Sequence, residues 1–132
     1  MIVTPIYAGI LAILFFILSM RVIAGRGKNG PSLGDGGDVR MQRRIRGHGN
    51  FAEYVPLILV MMAMLELSHY STYLLHGLGI ALVVGRLLHA YALSFTERFS
   101  FGRFWGTALT YTVLNICAVL CLYQGIRASM LL

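Results

Sequence analysis

Arg43, Arg46, Asn50, Glu53 and Tyr54 are spaced so that a helix through them gathers all five onto one face, and the chain then turns apolar through Pro56 and residues 57–65. At about 100° per residue the five positions fall within roughly one third of the helical circumference. Arginine and amide side chains in such a stripe suit the binding of carboxylates, because a guanidinium presents paired donors in a planar fork. A second apolar stretch carries Arg86 and His89, three residues apart. Burying an arginine in a membrane costs about 2.5–3.5 kcal/mol even on the lenient insertion scale, so Arg86 needs a partner, and Glu53 is the expected one.

The elements that must position these residues follow from composition. With 132 residues and 58% hydrophobic content, and a mean hydropathy of +0.74, the chain is too apolar for an ordinary soluble domain and too short for several. It is expected to form one membrane domain over residues 1–132, an all-α integral membrane four-helix bundle with spans at about 2–24, 39–67, 72–95 and 104–126. About 20 residues suffice to cross a hydrocarbon core of roughly 30 Å. The first span lacks the basic flank of a secretion signal and is longer than its apolar core of about 7–15 residues, so it is expected to be retained. Asp38 is placed to cap the second helix, whose basic first half must project beyond the bilayer and which Pro56 is expected to kink. Gly77, Gly79 and Gly85 in the third allow another helix to come close.

The net charge of +6 follows membrane topology rather than nucleic-acid binding. Seven basic residues from Arg21 to Arg46 lie at or between the first two spans, Arg98 and Arg103 lie between the last two, and the short connection 68–71 has no Lys or Arg. The positive-inside rule then places both basic loops in the cytoplasm and both termini opposite. On this view Arg21, Arg40, Arg44 and Arg127 are interfacial anchors. Gly34-Asp35-Gly36-Gly37 lacks the lysine and strand context of a phosphate loop and reads as a linker. Cys117 and Cys121, four residues apart on one helix, cannot form the geometry of a disulfide and resemble core hydrophobes. No metal site is expected, since His89 and Glu53 do not make a helical ligand pair and neither cysteine lies at their depth.

Polar groups from four helices converge on one depth. Arg26 follows the first span, Arg46, Asn50 and Glu53 bracket the start of the second within the membrane, Arg86 and His89 lie two to three turns inside the end of the third, and Arg103 begins the fourth. Such a layer fits a small polyanion. A plain structural ion pair between Glu53 and Arg86, with His89 bonding inside the bundle, is the simpler alternative.

The run from Arg43 to Pro56 contains R-x-x-x-N-x-x-E-x-x-P, and Arg86-Leu87-Leu88-His89 supplies R-x-x-H. Together they resemble the signatures of membrane-associated proteins in eicosanoid and glutathione metabolism (MAPEG), and the four spans with a long first loop extend the likeness over the whole chain. The resemblance implies a homotrimer with glutathione, the co-substrate, bound between subunits on the cytoplasmic side. It implies glutathione contacts at Arg26, Arg46, His48, Asn50, Glu53, Tyr54, Arg86 and His89, and a thiolate-stabilising role for Arg103, with Arg98 as its competitor. Leu93, where eicosanoid-forming members often carry tyrosine, and Gly27, where some carry a second arginine, depart from the pattern. Short loops resemble bacterial members, so an inner membrane is expected rather than an endoplasmic reticulum. The implied function is a glutathione transferase or glutathione-dependent peroxidase acting on a lipophilic small molecule that arrives from membrane lipid. A small proton-coupled transporter built on an intramembrane carboxylate, and a non-catalytic scaffold, are the alternatives.

Overall fold

The computed structural model describes residues 1–27, 30–96 and 101–130, nearly all of them in four helices: α1 (Val3–Arg26), α2 (Val39–Leu67), α3 (Thr72–Phe95) and α4 (Phe101–Ser129). Each is long and apolar enough to cross a membrane. The Asp38 carboxylate caps α2 by accepting from Arg40 N at 2.8 Å. Just before it, Gly34, Gly36 and Gly37 all take positive φ, which glycine adopts without steric penalty, and turn the linker into the helix. The helix continues unbroken through Pro56.

α2 and α3 form the middle of the bundle. α1 packs on both, α4 packs on both, and among the described residues α1 and α4 do not touch. On α2 the buried positions Phe51, Val55, Ile58, Met62 and Leu65 recur every three or four residues, and they meet Val3, Tyr7, Leu11 and Leu18 of α1, Leu75, Leu78 and Leu82 of α3, and Val113 and Cys117 of α4. In lipid such contacts hold by close packing more than by removal from water, which explains why several isoleucines and Phe16 stay exposed on the outer face of α1.

The closest approach is between α3 and α4, along a seam of small residues. A Cβ on Gly106 would lie 2.7 Å from the Gly85 carbonyl oxygen, and one on Gly102 would lie 3.0 Å from that of Leu88. Gly85 was foreseeable as a contact glycine; Gly102 and Gly106 were not singled out. Gly79 instead receives the Tyr7 ring of α1, and a Cβ on Gly77 would meet nothing. α4 is already helical at Phe101, three residues before the expected span begins at 104.

At the opposite end of the bundle, the Glu66 carboxylate accepts from the amides of Ile2, Val3 and Thr4, the last two at 2.8 Å. A residue near the end of α2 thereby caps the start of α1. Nearby, the Tyr7 hydroxyl lies 2.8 Å from His76 Nδ1 and donates to the His76 carbonyl oxygen at 3.2 Å.

Candidate functional site

A cleft of about 620 Å³ opens between the first half of α2, the end of α3 and the start of α4. Helical repeat explains its lining: Gln42, Arg46 and Asn50 lie one turn apart on α2, His89 and Leu93 on α3, and Arg103, Thr107 and Tyr111 on α4, with Arg43, Phe104 and Ala108 completing the wall. The α3–α4 seam aims the last set. With Gly102, Gly106 and Thr110 turned against α3, the next residue in each turn faces the cleft.

Arg86 stands behind this wall, 1% exposed. Its Nη1 donates to Asn50 Oδ1 at 2.8 Å and its Nη2 lies 3.2 Å from His89 Nδ1. Since a guanidinium only donates, His89 Nδ1 must accept, leaving Nε2 as the ring's donor. The Phe51 ring lies beside the same cation, 5.4 Å from its guanidinium carbon.

The expected Glu53–Arg86 ion pair does not form within the chain. Glu53 is exposed and makes no ion pair among the described residues. The reason is rotational. The buried stripe of α2 runs through Gly47, Phe51, Val55 and Ile58; Asn50 stands at its edge, and Glu53 lies about 60° further from the core.

The other expected site residues divide. Arg46, Asn50, His89 and Arg103 line the cleft, and Tyr54 borders it through a 3.0 Å hydrogen bond between its hydroxyl and that of Tyr111. His48 faces the other way, stacked on Phe15 with ring centroids 4.7 Å apart. Arg26 closes the first loop by donating to the carbonyl oxygens of Pro31 and Ser32 at 3.0 and 2.9 Å. Arg98 lies outside the described residues. Gln42, Thr107 and Tyr111 were not foreseen, although their spacing of four or eight residues from Arg46 and Arg103 was a legible signal.

The charge in the cleft is one-sided. Arg43, Arg46 and Arg103 line it, Arg86 backs it, and among the described residues no Asp or Glu contributes to the wall. Arg43 Nη2 is buried and finds no acceptor there. Uncompensated guanidinium groups at the edge of a low-dielectric bundle attract anions strongly, and their forks suit carboxylates. One imidazole, without thiol or carboxylate, is a poor set for a metal. Leu93, Phe104 and Ala108 supply an apolar side to the same space.

The chain matches the MAPEG family over residues 4–123. It is 38% identical over 89 residues to "Inner membrane protein YecN" of Escherichia coli strain K12, an alignment covering 67% of this chain and 68% of that protein. The protein of the same name from Escherichia coli O6:H1, strain CFT073, aligns to the same extent, 38% over 89 residues. No solved structure matches.

Proposed function

The chain belongs to the MAPEG family, and from that premise we propose that it is a glutathione-binding membrane enzyme, a transferase or peroxidase for lipophilic substrates. The observation that carries this reading is the cleft of about 620 Å³ with three arginines and no carboxylate in its described wall. Such a volume is ordinary for a small-molecule site. Glutathione carries two carboxylates, an ammonium, amide groups and a thiol, so a wall of three arginines with the amide and hydroxyl groups of Gln42, Asn50 and Thr107 and an apolar flank fits its anionic and peptide parts.

In this reading Arg43 and Arg46 hold carboxylates, while Gln42, Asn50 and Thr107 offer hydrogen bonds to the peptide. Arg86 is a positioning residue: it fixes the Asn50 amide and the His89 tautomer from behind. Arg103 stabilises the thiolate, because a guanidinium favours the charged form of a neighbouring thiol without giving up its own proton. When bound, glutathione supplies the sulfur nucleophile. Leu93, Phe104 and Ala108 keep the adjoining space apolar for a substrate arriving sideways from lipid.

Arg26, His48 and Glu53 lie outside the cleft wall of a single chain. We assign them to contacts across subunits of a homotrimer, in which a neighbouring copy completes the site. The YecN name supports an inner-membrane location, and the distribution of arginines supports a cleft facing the cytoplasm. The transporter alternative needs an enclosed carboxylate free to titrate; Glu53 is exposed and Glu66 is engaged by the amides of α1, so neither favours it.

The test is titration of glutathione into the detergent-purified protein, with thiolate absorbance and native mass spectrometry recorded together. Saturable binding, a thiolate signal and a trimer are expected. Absence of binding at millimolar glutathione would overturn the reading.

A further inference from the structure

We infer that a second anion site, on the α1 side of α2 and sharing only Arg43 and Leu93 with the cleft wall, holds the phosphodiester headgroup of an anionic phospholipid. A cavity of about 140 Å³ lies where the end of α1, the start of α2 and the end of α3 meet, walled by Arg21, Arg40, Arg43 and Arg44 together with Ser94 and Phe95. At about 30 Å³ per water, this is room for a phosphodiester and a little solvent. Among the described residues no carboxylate lines it.

Arg21 and Arg44 are held in place by groups that do not neutralise them. Arg44 Nη1 donates to the Arg21 carbonyl oxygen at 3.2 Å. That position depends on Gly25, where a Cβ would lie 2.7 Å from the same nitrogen. The Arg21 guanidinium carbon sits 5.6 Å from the centroid of the Phe95 ring. Arg43 stands between the two cavities, and its Nη2 is buried without an acceptor among the described residues, so the guanidinium has a donor to offer here besides those it presents to the cleft. Residues that serve only to orient the chain in the membrane need no such pocket; four arginines around one small space repel each other unless an anion joins them.

The surroundings favour a lipid over a free anion. The cavity lies at the ends of membrane-spanning helices, where headgroups lie. One turn deeper than Arg21, Ile17 is exposed, and one turn deeper than Phe95, the exposed Tyr91 packs on that ring at 5.0 Å. Two apolar surfaces thus lead from the arginines toward the hydrocarbon, as acyl chains require. Basic pockets between helices at the cytoplasmic face are suited to anionic headgroups.

The lipid count does not depend on glutathione, so it can fail or hold independently of the proposed function. Purified protein is exchanged into detergent carrying equal amounts of phosphatidylglycerol and phosphatidylcholine, and retained lipid is counted by native mass spectrometry. The parent is expected to retain phosphatidylglycerol at least about tenfold over phosphatidylcholine, since each arginine near such a headgroup contributes appreciably. The double variant Arg21→Gln/Arg44→Gln should lose the preference while keeping glutathione binding, and Arg21→Lys/Arg44→Lys should keep part of it. Equal retention of both lipids by the parent would overturn the proposal even if the glutamine variant fails to fold. Displacement of phosphatidylglycerol by millimolar inorganic phosphate, with phosphate itself retained, would also overturn it in favour of a free-anion site.

Discussion

Glu66 and His76, at one end of the bundle, are answered within the chain by three helix amides and a tyrosine hydroxyl. Arg43, Arg46 and Arg103, at the other, line a cleft with no described carboxylate, although the chain is one continuous bundle between them. Both ends carry polar groups that a membrane protein accommodates only at a cost. The difference lies in who satisfies them. Where hydrogen bonds close inside the fold, the residue holds helices together; where like charges gather unanswered, the fold has left a place for something else.

Removing a closed contact should affect stability alone, and the largest effect is expected there. Glu66→Ala strands the amides of Ile2, Val3 and Thr4, with a loss of about 2 kcal/mol, the upper range for a helix cap. A lower melting temperature in detergent with unchanged glutathione affinity is the expected outcome; weaker binding at an unchanged melting temperature would erase the distinction between the two ends. The opposite pattern is expected of Arg46→Ala: affinity about tenfold weaker, as for one lost charge-assisted contact, and stability unchanged or slightly raised as repulsion is relieved. Calorimetry and thermal melts on the same samples separate the two.

Arg103→Leu sharpens the comparison within the cleft. Glutathione binding should change little, whereas thiolate absorbance and turnover with a model electrophile fall by up to about tenfold, the limit for a one-unit rise in the bound thiol pKa. Because the variant raises that pKa, raising the pH should restore part of the signal. A fall in binding without a change in thiolate fraction would reassign Arg103 to carboxylate binding. The smallest effect is expected at Glu53→Gln, within about 0.5 kcal/mol of the parent in stability, since the chain makes no ion pair for it to lose. Melting as low as Glu66→Ala would show that Glu53 has a charged partner across subunits in the assembled protein.

Much of the cleft was legible beforehand because helical periodicity fixes which side chains share a face. Arg46 with Asn50 and Arg86 with His89 needed only their spacing. Periodicity does not say which face meets which helix. His48 lies only two residues from Arg46, yet that is a rotation of about 200°, just over a half-turn, and it stacks on Phe15 of α1 away from the cleft. Glu53 was assigned to Arg86 on chemical grounds, but the smaller Asn50, nearer the core edge, took the contact.

The sequence by itself determined the four apolar helices, the basic end and the rows of residues that travel together, because length, hydropathy and the 3.6-residue repeat are local properties. Only the tertiary structure decided that Gly102 and Gly106 bring α4 against α3 closely enough to turn Arg103, Thr107 and Tyr111 into one wall, and that Glu66 caps a helix more than sixty residues before it. Those outcomes depend on how close two helices approach and at what rotation, which is set by contacts between residues far apart in the chain.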